Sequence, residues 1–391
     1  MSQNIWLSRL RLTDFRNYKH LSIDLDGRPV VLTGENGAGK TNLLEAVSLL
    51  SPGRGMRGTP FNDLARFDGS GLWAVSARLE GPDGQINIGT GLELSPDGHQ
   101  VSGRIVKVDG HPVKGSGKLA DLAQIVWLTP ALDGLFTGPA AERQRFPDRL
   151  IVGLDPGFRA LSGQFERAMR QRNKLLDSGS HDHTQFTGLE TLMAETGAAL
   201  AAARLEAVDR LAHAVISKWP PNTKMATKDD RPSPFPWSTL TLEGELEHDL
   251  RIMPSSDAED HYLRALQDNR ERDRAAKRTL IGPHRSDFLA GHGPKKMPAK
   301  FCSTGEQKAL LVGLILAHAE LLKDQHGTAP IILLDEISAH LDQTRREALF
   351  KEILSLSSQA FMTGTDADIF SPFGDGAQFY SLNNAAIVSQ V

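Results

Sequence analysis

The stretch that most restricts the fold is VVLTGENGAGKTNLLEAV, residues 30–47. Val30, Val31 and Leu32 form a short β-branched, apolar run suited to a buried parallel strand, and Leu43, Leu44, Val47 and Leu50 then recur at helical spacing. Between them Gly34, Glu35, Asn36, Gly37, Ala38, Gly39, Lys40 and Thr41 satisfy G-x-x-x-x-G-K-[ST]. Backbone N–H groups in such a loop can curl around phosphates, a lysine can reach the β and γ phosphates, and a threonine hydroxyl at the helix start can ligate Mg²⁺. A glycine-rich turn with a chance lysine would have the same letters without the strand before and the helix after. The expected fold is therefore α/β, with a parallel strand feeding a phosphate loop.

With 391 residues, of which 40% are hydrophobic, the chain has room for two or three domains. Its single cysteine, Cys302, excludes an internal disulfide framework and fits a reducing compartment. The opening MSQNIWLSRLRLTDF has no long apolar core of the secretory kind, and no segment approaches the run of about 18 apolar residues that spans a membrane. Export and membrane insertion are not indicated, and a cytoplasmic protein is expected. A formal net charge of -4 leaves nucleic-acid binding to local patches.

Along the chain, WLSRLRLTDF, LSIDL, GLWAVSARLEG and INIGTGLEL read as strands separated by Gly, Pro and Asp, and residues 101–128 continue that pattern. From Phe158 to about Lys218 the period becomes helical and alanine-rich, which predicts an inserted helical hairpin. PPNTKMATKDDRPSPFPW is a proline-rich loop, strands are expected near Leu240 to Ile252, and Ala258–Lys277 is expected as one charged helix. The domain reading is thus a first head segment over 1–130, an inserted helical lobe over 131–278 and a second head segment over 279–391.

Two further motifs give the head its chemistry. Ile331 to Leu334 is an apolar run ending in Asp335 and Glu336, as expected of a buried parallel strand delivering carboxylates to its C-terminal edge. Asp335 would bind Mg²⁺, and Glu336 would polarise the attacking water. Upstream, Ser303-Thr304-Gly305-Glu306-Gln307 opens a long apolar helix. An ordinary serine N-cap with Glu306 at the capping-box position would look alike. Lying between the other two motifs, the turn instead matches the ATP-binding-cassette signature, in which serine and glycine contact the γ-phosphate held by another protomer. Asp342, in SAHLD, resembles the acidic residue that such ATPases place at their dimer contact.

The ordered set LRLTDFRNYKHLSIDL, GENGAGKTNLLEA, QRNKLL, GPHRSD, STGEQKALL and LLDEISAHLD resembles the RecF family of bacterial DNA replication and repair ATPases, whose heads are similar to those of SMC proteins. The resemblance runs essentially end to end. It implies a P-loop ABC-type head with an inserted, mainly helical lobe, and a weak DNA-dependent ATPase using ATP and Mg²⁺. It also implies an ATP-dependent homodimer on double-stranded DNA and at ss/ds gap junctions. The implied setting is DNA damage, the SOS response and recombinational gap repair, with RecR, RecO and the recombinase RecA as partners. ATP would be held by residues Gly34 to Thr41 of one subunit and closed over by Ser303 and Gly305 of the other, with Lys40 and Glu336 catalytic and Asp342 at the contact. Several positions depart from the pattern: Pro147 interrupts an arginine-rich stretch and puts a helix there in doubt, Ser286 replaces a second aspartate, and Thr363 stands where transport ATPases place a switch histidine.

DNA contacts are the least defined. Arg170 and Arg172 lie in a basic stretch from Arg143 to Lys174, and a second cluster surrounds Arg270 to Arg278, where interleaved acids suit a solvated helix equally well. Arg57 resembles an arginine that reaches nucleotide or DNA in SMC-like heads, with loop solvation the alternative. A transporter cassette would not separate Lys40 from Ser303 by most of the chain, and a small-molecule kinase would share the phosphate loop alone. SMC-type long arms are excluded, because about 60 helical residues folded as a hairpin reach only about 45 Å. Another nucleic-acid-acting ABC ATPase, such as an overcoming-lysogenization-type nuclease, stays open.

Overall fold

Strand Val30–Thr33 is buried at all of its positions, as its Val-Val-Leu run requires, and lies inside a six-stranded sheet. The structure, a computed structural model, describes residues 4–94, 103–221, 233–337 and 341–390. In spatial order this sheet runs Ala386–Gln390, Gln378–Asn383, Val30–Thr33, Ala360–Gly364, Ile331–Leu334 and Ile125–Leu128. Every neighbouring pair is parallel except the first, which is antiparallel. Strands this apolar must be covered on both faces, and helices Lys40–Ser48, Thr304–His326 and Gln343–Leu356 belong to the same layered unit.

A second, antiparallel six-stranded sheet runs Tyr18–Asp24, Trp6–Phe15, Ala74–Gly81, Gly84–Gly91, Ile105–Val108 and His111–Pro112. Its long strand alternates, with Leu10 and Leu12 buried and Arg11 and Thr13 exposed. One face therefore packs and the other meets water. The two sheets share a core in which Leu10, Leu12 and Tyr18 join Val30, Leu43 and Leu333.

The chain divides into two compact units: the described parts of Met1–Asp133, Asp230–Phe235 and Ser303–Val391 form the first, and those of Gly134–Asp229 and Pro236–Cys302 the second. The sequence places the return to the head at residue 279, but it comes at Ser303. The reason is pairing: strand Asp287–His292 binds Ser238–Glu243 along its whole length, so residues 279–302 stay with the second unit. Most of the proline-rich segment lies outside the described residues.

The second unit contains the expected hairpin, helices Phe158–Asp177 and His183–Lys218. Asp182 caps the latter by accepting hydrogen bonds from Thr184 N and Gln185 N, both at 3.0 Å. Gly197 lets a third helix, Ser255–Asp268, approach, since a Cβ there would sit 2.9 Å from the Tyr262 ring. Three expectations are corrected. Helix Ala140–Leu154 continues through Pro147, which forgoes one backbone bond but otherwise keeps a helical φ. Residues 245–252 form a helix after Gly244 rather than a strand. The charged helix starts at Ser255 and divides at Asn269, so that Arg270–Ala276 is separate.

Burial also removes one candidate DNA contact. Arg172 is fully buried, its guanidinium donating to Glu190 at 3.1 Å, Asp273 at 2.6 Å, Thr279 at 2.9 Å and the Leu266 carbonyl at 2.8 Å. It is internal glue for four segments, not a surface cation. Arg170, two residues away on the same helix, is exposed and bonds Glu166 at 3.3 Å. Ser286 is buried and donates to Glu247 at 2.5 Å, so the departure from aspartate creates a neutral donor for a buried carboxylate.

Candidate nucleotide site

The phosphate loop is shaped by its glycines. Gly39 has φ 110°, and a Cβ there would meet the Tyr18 hydroxyl at 2.6 Å, so only glycine lets the loop turn into helix Lys40–Ser48 against strand Tyr18–Asp24. Tyr18 Oη in turn donates to the Gly39 carbonyl at 3.1 Å. Asn36, Gly37, Lys40, Thr41, Arg57 and Glu336 line one polar cavity of about 170 Å³.

Lys40 is buried and donates from Nζ to the carbonyls of Gly34 at 2.5 Å and Glu35 at 2.9 Å. Burial pushes its pKa below the ordinary lysine value, while Glu336 and Asp335 act in the opposite direction. A buried ammonium is costly unless it is paired or hydrogen-bonded, and the two loop carbonyls supply its partners here.

The carboxylate strand meets the loop at its end. Asp335, 4% exposed, accepts from Thr41 Oγ1 at 3.0 Å and from Thr363 Oγ1 at 2.8 Å, both at the same oxygen. Thr363 Oγ1 also accepts from the backbone N–H of Glu336 at 2.8 Å. Glu336 has φ 49°, an uncommon backbone state for a side-chain-bearing residue, and that hydrogen bond helps hold it. The residue found at the switch-histidine position is thus a hydroxyl that ties the two acids together. Sequence reading flags Thr363 only as a departure; its role needs the pairing of strands Ile331–Leu334 and Ala360–Gly364.

Glu45 is the second residue that sequence reading passes over. It is fully buried one helical turn from Thr41, and Arg16 grips both its oxygens at 2.8 Å. Arg57 Nη1 donates to Glu45 at 3.3 Å and to Asn42 at 3.0 Å. Arg57 accordingly stands at the phosphate cavity, held from behind by a carboxylate.

Ser303 caps helix Thr304–His326 by accepting from Glu306 N at 3.4 Å, and Glu306 accepts from Ser303 N at 3.0 Å. The capping box is present, and Ser303 and Thr304 are exposed. Asp342 is the N-cap of helix Gln343–Leu356, accepting from Arg345 N at 2.9 Å; Ser338, Ala339 and His340 lie outside the described residues.

The site residues fit a magnesium nucleotide: a glycine cradle, a buried ammonium at its floor, and a hydroxyl and a carboxylate converging at one edge. Among the described residues no helix is long and apolar enough to cross a membrane.

Comparison with known proteins agrees with this geometry. Residues 6–384 match the RecF/RecN/SMC N terminal domain. The chain is 51% identical over 381 residues to the DNA replication and repair protein RecF of Mesorhizobium japonicum, covering 97% of each. It is 49% identical to that of Rhizobium etli, covering 99% of this chain and all of the relative. In fold it is similar to a structure of the recombination mediator protein RecF with ATPrS, at TM-score 0.82 and 22% identity over 99% of this chain and 98% of the other. An Smc head domain from Pyrococcus furiosus gives TM-score 0.53 at 15% identity, over 99% and 96%. Sequence, fold and the shared ATPase-head geometry agree, and the chain belongs to the RecF family of the RecF/RecN/SMC proteins.

Proposed function

We propose that this chain is an ATP-dependent DNA-binding protein of recombinational gap repair and replication, which dimerises on duplex DNA with ATP and helps load a recombinase onto single-stranded gaps. The observation that carries the proposal is the convergence of Thr41 and Thr363 on Asp335, with Glu336 fixed beside the Lys40 loop. The similar RecF structures were described with ATP or ATPrS and in the RecFOR pathway, which supports nucleotide use and a role in that pathway; RecR, RecO and the recombinase RecA as partners, and a cytoplasmic setting, are part of the proposal.

Lys40 and the loop N–H groups would bind the β and γ phosphates, and Lys40 gains an anion in place of two carbonyls. Thr41 and Asp335 would hold Mg²⁺, whose charge neutralises phosphate oxygens. Glu336 would take a proton from water, a contribution of about 10²- to 10⁴-fold in rate. Ser303, which is exposed, and Gly305, which is partly exposed, of a second copy would close the γ-phosphate side, where a helix N-terminus favours an anion. Asp342 would lie at that contact. Hydrolysis then acts as a timer that reopens the dimer, and the expected ATPase is weak and DNA-dependent.

Light scattering with and without Mg²⁺, ATP and duplex DNA tests the whole cycle. ATP should convert monomer to dimer, and Glu336→Gln should make the dimer persist. A monomer at every nucleotide condition would overturn the composite site.

A further inference from the structure

Lys308 is an unexpected residue for its place. Its side chain is 1% exposed in the second turn of helix Thr304–His326, and its Nζ lies 2.6 Å from Asp133 Oδ1. Lysine is almost never fully buried unless paired. A cation near this end of a helix gains nothing from the helix dipole, so the pairing with Asp133 must account for it.

Each partner is fixed to a different part of the site. Long helical side chains lie back over the preceding turn, and residues three and four apart share a face. The Lys308 stem therefore runs under the turn that holds Thr304 and Gly305. Asp133 follows strand Ile125–Leu128 by one tight turn, closed by Leu132 N donating to Thr129 O and Asp133 N donating to Pro130 O, both at 3.0 Å. That strand pairs with Ile331–Leu334, and Asp335 N donates to Leu128 O at 2.9 Å. A short hydrogen-bonded path thus joins the aspartate of the phosphate site to the helix that opens with the Ser303–Gly305 turn of the same subunit.

We infer that Lys308 and Asp133 are a positioning pair: they set the height and tilt of the Ser303–Gly305 turn relative to the carboxylate strand, so that the turn meets the phosphate of a nucleotide held by a second copy. The inference rests on the composite-site reading above. A stabilising role alone does not explain the pair: Asp133 is 33% exposed, so solvent weakens the attraction, while an apolar side chain in place of the buried lysine is often as stable or more so. Orientation is what an apolar pair cannot supply, since it has no preferred donor-acceptor line. Neither residue lines the phosphate cavity.

The test is the full chain carrying Lys308→Met with Asp133→Leu, with Asp133→Asn as a second variant that keeps shape and removes the counter-charge. Melting temperature and affinity of the monomer for a fluorescent ATP analogue should stay at the wild-type level in the double variant. Dimerisation by light scattering in Mg²⁺ and ATP should weaken, and turnover should fall by up to about 10²-fold, the scale of a 1 Å misplacement. Wild-type dimerisation and turnover in a folded variant of either kind would overturn the inference. Ser303→Arg run in parallel separates the two readings. If it blocks dimerisation while the pair variants do not, the pair reading alone falls; if Ser303→Arg also dimerises and hydrolyses normally, the composite site falls with it.

Discussion

Removing the Thr363 hydroxyl is the sharpest probe of the site, because it changes no charge and almost no volume. In Thr363→Val, Asp335 loses a donor now at 2.8 Å and the Glu336 N–H loses its acceptor at 2.8 Å, in a position that is fully buried. A hydrogen bond to a charged group contributes about 1.5–3 kcal/mol, and an orphaned buried donor costs about 1–3 kcal/mol. Asp335 keeps its bond from Thr41, and water can enter from the phosphate cavity, so a net loss of about 2–3 kcal/mol in stability is expected. At about 2–4 °C per kcal/mol this lowers the melting temperature by about 4–12 °C. The functional effect should be larger than the affinity effect: Lys40 and the loop still bind ATP, while Glu336 loses the contact that helps hold its left-handed backbone. Turnover should drop by about 10²-fold, the scale of a lost general base, with the ATP dissociation constant changed far less. Thr363→Ser, which restores the hydroxyl, should recover most of the rate. Steady-state phosphate release and nucleotide titration read the two quantities separately. If Thr363→Val hydrolyses ATP at the wild-type rate, the hydroxyl is not what fixes the two acids and the reasoning fails.

Lys40→Met should abolish tight ATP binding and the ATP-driven dimer together, read by nucleotide titration and light scattering; retained affinity would refute the phosphate-loop role. Arg170 and Arg172 should behave in opposite ways. Arg172→Met leaves Glu190 and Asp273 short of their buried partner and should cost about 3–5 kcal/mol in denaturant unfolding. Arg170→Ala, at an exposed ion pair, should change stability by less than about 1 kcal/mol; if the residue contacts DNA, the salt slope of duplex binding falls by about one unit. His284 supplies a pH test: burial holds its pKa below the ordinary histidine value, aided by Arg285 and Arg204 and opposed by the Thr279 carbonyl and Asp273. The unfolded chain therefore binds this proton more readily, so stability should fall as pH drops below about 6.5 and be regained above it. His284→Gln should flatten that part of the melting-temperature profile, and an unchanged profile would remove His284 as its source.

What the sequence determines by itself is local and periodic. Val30 to Thr41 names a strand, a loop and a helix because glycine, lysine and apolar spacing each have one sterically cheap use there. Ile331 to Glu336 names its strand because four apolar residues ending in acids need a buried run and a wet edge. Capping at Ser303 follows from hydroxyl and carboxylate chemistry within one turn, and the structure contains it. The tertiary structure decides everything that depends on partners distant in the chain. Arg172 and Arg170 look alike in sequence, yet one faces Glu190 and Asp273 across packed helices and the other faces water. Thr363 acquires its role only when its strand lies beside Ile331–Leu334, and Glu45 only when Arg16 and Arg57 arrive from two separate turns. The return to the first unit waits until Ser303 because strand Asp287–His292 satisfies its backbone against Ser238–Glu243, a long-range pairing that no local pattern encodes. Periodicity reports which face of a segment is apolar; it does not report which neighbour covers that face, and charge, burial and catalytic geometry are properties of the neighbour.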